Sequence, residues 1–218
     1  TLVVAVVLVA CARSELEQHL AAALLVTGEQ VALLNDLFQA QPQGVLAVLD
    51  QRHYLEHHLI FEQAERYEVA VLTKAAAFNE MAMRTHYIEP LQKLGVAPNR
   101  MIGFTLEYNE AGKVPVAFIK DYLDKLLVAL NSLGVKYLFC TDAAYFKTLT
   151  KMSKAEPHYG YVLPCKIQGF EHMQVVLGLN YQQLVYNPEL YQKLDMSLQT
   201  LADAVQGSYQ PLGHNIIH

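Results

Sequence analysis

Cysteine is scarce in this chain, with three in 218 residues: Cys11, Cys140 and Cys165. Three scattered thiols exclude a disulfide framework and a four-thiolate iron–sulfur or zinc site. That usage fits a reducing, cytosolic setting. Basic charge is also in deficit, with 16 lysines and arginines against 21 acidic residues and a net charge of −5. A protein that coats nucleic acid without regard to sequence carries the opposite balance, so phosphate contact falls to a local basic face. Leu8-Val9-Ala10-Cys11 has the form of a bacterial lipoprotein cleavage box, but nothing basic precedes Arg13 and a secretory signal needs a positively charged start. The opening apolar run is also shorter than the ~20 residues that a membrane span requires. Its valine-rich composition suits a strand buried on both faces. No Gly-x-Gly-x-x-Gly or Walker pattern follows any expected strand, which weakens the case for a nucleotide-binding enzyme. No cofactor, metal or membrane partner is expected.

The hydrophobic content of 53% is enough for one substantial core. A single α/β domain is expected over residues 1–207, with 208–218 as a tail or the start of a linker. Strand-like runs recur at 2–10, 45–49, 69–73, 101–107, 135–140 and 175–179, with helical stretches between most of them. That alternation predicts a three-layer α/β/α fold around a mostly parallel central sheet. The clearest helix spans 116–133: Val116, Ile119, Leu123, Leu126, Leu127, Leu130 and Leu133 share a face, Pro115 suits the first turn and Gly134 follows the end. In the closing helix Asn187 is a cap, Pro188 fits the first turn, and Leu190, Leu194, Leu198, Leu201 and Val205 form the buried stripe up to Gly207. Residues 21–41 read equally as two helices or as a helix and a strand.

Several constellations invite a chemical reading. His53 and His57 lie four residues apart, which on a helix could offer two imidazoles to one zinc, but no third ligand is indicated and a solvated helix face explains the spacing. Ser14 and Glu17 form a capping pattern. Met81, Met83 and Met152 read as core filler, and Cys140 and Cys165 as buried structural thiols. Lys147, Lys151 and Lys154, with Lys166 nearby and Tyr145, Tyr159 and Tyr161 interleaved, combine phosphate attraction with stacking surfaces. Ordinary solvent-exposed lysines on a loop, diluted by Glu156, read equally well. The carboxyl edge of the sheet, where α/β proteins bind ligands, is expected to hold these lysines together with Lys74, Asp142 and Asn180.

Order and spacing between about 67 and 206 resemble the uracil-DNA glycosylase superfamily. Val69-Ala70-Val71-Leu72 stands for the first core strand, Tyr87 to Gly95 for the following helix, Met101 to Leu106 for the next strand, and Asn180-Tyr181-Gln182 with Tyr186-Asn187-Pro188 for the final motif. In that family the first loop carries a water-activating group, an Asn reads uracil, and a His-Pro-Ser segment precedes Arg-Asn-Pro. Here the loop begins Thr73-Lys74-Ala75-Ala76-Ala77, Leu106 occupies the Asn position, Asn180, Tyr181 and Gln182 replace His-Pro-Ser, and Tyr186 replaces Arg. Asn79 or Glu80 is the remaining polar candidate in the first loop. A closer resemblance runs through Tyr161-Val162-Leu163-Pro164-Cys165 and Gly169-Phe170-Glu171-His172-Met173 to Tyr186-Asn187-Pro188-Glu189. It is to the amino-terminal, degenerate glycosylase-like region of bacteriophage DNA polymerases of the polymerase I type. The resemblance implies a noncatalytic module in the cytoplasm of a bacterial host, with DNA, replication proteins or the rest of a polymerase chain as partners. No exonuclease or polymerase metal motif is present. Candidate DNA contacts are Lys74, Lys147, Lys151, Lys154, Lys166, Asn180, Gln182 and Tyr186. The rivals are a glycosylase that works with substituted residues and a protein-docking scaffold that never touches DNA.

Overall fold

The structure is a computed structural model, and it describes residues 54–108 and 110–211. Expected strands at 2–10 and 45–49, the segment 21–41, the Ser14 capping pattern, Cys11 and His53 lie outside the described residues.

Among the described residues six strands form one mixed sheet: β1 (Tyr54–Ile60), β2 (Val69–Leu72), β3 (Met101–Tyr108), β4 (Tyr137–Cys140), β5 (Val162–Pro164) and β6 (Gln174–Leu177), in the spatial order β1-β3-β2-β4-β6-β5. The inner four, β3, β2, β4 and β6, are parallel, and the two outer strands run antiparallel to their neighbours. β2 is buried at every position, as a parallel strand covered on both faces should be.

Side chains alternate across the sheet into two cores. One face presents Ala70, Leu72, Leu138, Cys140, Val175 and Leu177 to the helix following β3 and the helix following β4. The other presents Val69, Val71, Met101, Phe139 and Val176 to the helical stretch after β2 and the closing helix. The stretch after β2 consists of α1 (Glu80–Met83), a π-helical turn (Arg84–Ile88) and α2 (Glu89–Lys93). α3 (Val116–Leu133) follows β3 and ends as its sequence predicts, with Gly134 left-handed at φ 87°. α4 (Ala143–Thr150) follows β4, and α5 (Gln182–Tyr186) and α6 (Tyr191–Gln206) follow β6. Among the described residues no helix is long and apolar enough to cross a membrane.

Several expectations are corrected. His57 lies on β1, which among the described residues pairs with β3 alone, and not on a helix. Val116 is 71% and Met81 78% exposed, because each sits in the first turn of its helix, ahead of the buried stripe. Strand β4 starts at Tyr137, since Val135 is still donating to the Leu130 carbonyl (3.0 Å) to close α3. The start of the expected tail is tied down: the N–H groups of Ser208 and Tyr209 donate to the Asp203 carbonyl, and the Tyr209 hydroxyl accepts from Val162 N–H at 3.1 Å.

Candidate functional site

β2 lies between β3 and β4. The chain leaving β2 turns to one face and the chain leaving β4 to the other, so their carboxyl ends flank the topological switch point at which open α/β sheets bind ligands. Four segments meet there: the loop after β2, the end of β3, the start of α4 and the loop after β6. Thr105 donates its hydroxyl to the Thr73 carbonyl (2.7 Å) and Thr141 donates its own to the Leu72 carbonyl (3.3 Å). Leu106 N–H donates to the Tyr145 hydroxyl at 3.1 Å. The Thr73 hydroxyl is buried with no partner among the described residues.

The loop after β6 is held from below and from the side. Gly178 lies flat on the Phe139 ring, where an added Cβ would stand 2.6 Å from a ring carbon. Beyond it, Tyr87 on the π turn donates its hydroxyl to the Leu179 carbonyl (2.9 Å) and accepts from Tyr181 N–H (3.0 Å). His86, one residue earlier, stacks on the Tyr181 ring with centroids 4.8 Å apart and planes 2° from parallel. Burial holds the His86 imidazole below its ordinary pKa and pushes the Tyr87 phenol far above its own.

The residues that the sequence resemblance set against glycosylase chemistry are committed to this framework. Asn180 is 7% exposed, and its side-chain oxygen accepts from Gln182 N–H at 2.9 Å, an Asx turn that starts α5. Tyr181 donates its hydroxyl to the Ala77 carbonyl (3.1 Å), and Gln182 donates its amide to the Ala76 carbonyl (2.8 Å). The loop after β2 and the loop after β6 are therefore stitched to each other. Leu106 is buried in the core. In the first loop Asn79 caps α1 by accepting from Ala82 N–H (3.0 Å), and Glu80 is paired with Arg84. Lys74 is exposed beside this edge, and Tyr186, at the end of α5, is 90% exposed.

Lys147, Lys151, Lys154 and Lys166 do not share the edge with Lys74, Asn180 and Gln182. Helix α4 runs back along the sheet, and its eight residues rise about 12 Å. Its last turn therefore reaches the amino edge, where Lys166 N–H donates to the Leu149 carbonyl (2.7 Å) and Pro164 pairs with Gln174, the first residue of β6. The expectation of one common edge is corrected by the direction of this helix. All four lysines are exposed. The tyrosines between them are not stacking platforms: Tyr145 is buried, Tyr159 packs under the Lys193 ammonium at 5.2 Å, and Tyr161 is half-buried.

Cys140 and Cys165 are free and buried, and burial raises both thiols, which removes thiolate character near neutrality. His57 is engaged with Glu107 at 2.6 Å across β1 and β3. Among the described residues no group of three or more His, Cys, Asp or Glu side chains is placed to hold a metal ion. Sequence reasoning missed Tyr87, His86 and Tyr145 as organisers of this edge. Each sits in a helical run, and nothing in sequence marks a hydroxyl that will cross to a strand end 92 residues away, as that of Tyr87 does. Comparison with the models of known protein families finds no match for this chain, and comparison with curated proteins finds none either.

Proposed function

We propose that this chain is a noncatalytic, uracil-DNA glycosylase-like module, the amino-terminal part of a phage replicative DNA polymerase, and that it contacts DNA in the host cytoplasm. One observation carries the noncatalytic part: the side chains of Asn180, Tyr181 and Gln182 are all occupied in joining the loop after β6 to itself and to the loop after β2. Cleavage of a glycosidic bond needs a positioned base or water and a group that stabilises the departing anionic base. Ala75, Leu106 and an Asn180 fixed in a turn supply neither. The DNA contact rests on the exposed lysines after β4 and on the resemblance described above. A second reading, docking of a replication protein, is favoured by Val185 and Tyr186, which stand 78% and 90% exposed on α5.

The test is titration against labelled single-stranded and duplex DNA, with and without uracil, at two salt concentrations, with base release followed in the same samples. Salt-sensitive binding without release is expected. Release of uracil would overturn the noncatalytic reading, and absence of binding at low salt would transfer the function to protein docking.

A further inference from the structure

The four lysines after β4 differ from the other charged groups around them. Lys147 and Lys151 are four residues apart at the end of α4, Lys154 follows three residues later, and Lys166 is drawn to the same turn by its backbone bond to Leu149. None of the four ammonium groups has an ion-pair partner among the described residues. The nearby carboxylates are engaged elsewhere. Glu156 pairs with Lys193 from α6, Glu171 accepts from Gly169 N–H at 2.8 Å, and Asp142 caps α4 by accepting from Ala144 N–H at 3.0 Å. The four ammonium groups thus stand outside any ion pair among the described residues, on a protein whose net charge is −5.

Lys151 carries a further mark. It is the non-glycine residue with positive φ among the described residues, at φ 58°. Glycine or asparagine at the end of a helix adopts that conformation with less strain. A lysine there does complement the helix dipole, but so would one a turn earlier, where Lys147 already stands.

We infer that the carboxyl-terminal turn of α4, with Lys147, Lys151, Lys154 and Lys166, is a surface for the phosphate backbone of duplex nucleic acid, read by charge alone. The inference rests on the DNA-contact reading above and specifies its mode. Binding of single strands draws on exposed aromatic platforms, and Tyr145, Tyr159 and Tyr161 beside these lysines are turned into the protein or half-covered. Charge-only contact favours the duplex, whose two strands place one phosphate per about 1.7 Å of axis, and gives it no preference among sequences.

The experiment measures affinity for a mixed-sequence duplex and for its separate strands across a salt series, using this chain, single Lys→Gln variants of the four positions, and Lys151→Gly. Four phosphate contacts predict a log–log salt slope of about −3.6 for the duplex, equivalent to a loss on the order of hundredfold between 50 and 200 mM salt. Each Lys→Gln change reduces the slope by about 1, equally for unrelated sequences. Lys151→Gly is expected to weaken binding in the same way while melting at or above the temperature of the parent chain, a combination that a merely structural lysine would not give. Tighter binding to single strands, or a slope indifferent to the lysine variants, would overturn this inference and leave DNA contact standing. Absence of binding to either form at low salt would overturn both.

Discussion

At the scale of single residues the edge of the sheet depends on Tyr87. Its hydroxyl bonds two backbone groups, the Leu179 carbonyl and Tyr181 N–H, both brought inside by the turn after β6. Tyr87→Phe keeps the ring and its edge contact with Phe139 but leaves those backbone groups unpaired. Loss of about 1–3 kcal/mol is expected, read as a lower urea midpoint with unchanged slope. An unchanged midpoint would mean that Asn180 and the His86 stack hold the loop without it. Asn180 is architectural too: its oxygen starts a helix, and a bond of that kind leaves it committed to its own backbone.

At the scale of elements, what was legible in the sequence was what depends on local periodicity. Helix α3 occupies the expected bounds because Pro115 and Gly134 punctuate a continuous apolar stripe, and Leu198 and Leu201 of α6 are buried for the same reason. Gly134→Ala should cost about 1–2 kcal/mol, since φ 87° disfavours a Cβ and the new atom would meet the Arg66 side chain at 3.3 Å. Chemical denaturation checks this, and a neutral result would show that the end of α3 relaxes to another cap. Strand β1 was misread because two histidines mask its alternation: Tyr54 and Ile60 point into one core while Leu59 packs on the other. Strand β5 escaped notice because it has three residues and ends at Pro164, whose missing N–H keeps that end of the edge from pairing outward. The separation of the lysines from Asn180 was not legible either, because it follows from the direction in which α4 packs and not from the composition of the connector.

At the scale of the whole molecule, buried titratable groups on both faces of the sheet set its response to pH. Burial pushes the phenols of Tyr87 and Tyr145 and the thiol of Cys140 upward, so the unfolded chain releases these protons first. Their contribution to stability is complete below about pH 9 and is lost as pH rises beyond it. Burial lowers the imidazoles of His58 and His86, so the unfolded chain takes up protons first below about pH 6.5 and stability falls as the solution is acidified. Glu56, raised by burial, acts in the opposite sense and makes that acid limb shallower. Thermal unfolding should therefore show a plateau between about pH 6.5 and 9 with a decline on each side. A melting temperature that kept rising above pH 10 would contradict the burial of the two phenols.

The central position of β2 also governs how the chain assembles in time. Val69 pairs with Met101, 32 residues onward, but its other neighbour, Tyr137, is 68 residues away. As a nascent chain lengthens, one side of this wholly apolar strand can be closed early by β3, while the opposite side waits for α3 to be made and for β4 to arrive. During that interval Val69-Ala70-Val71-Leu72 is an open, sticky template, which makes this stage of synthesis the one at which a ribosome-associated chaperone would matter most.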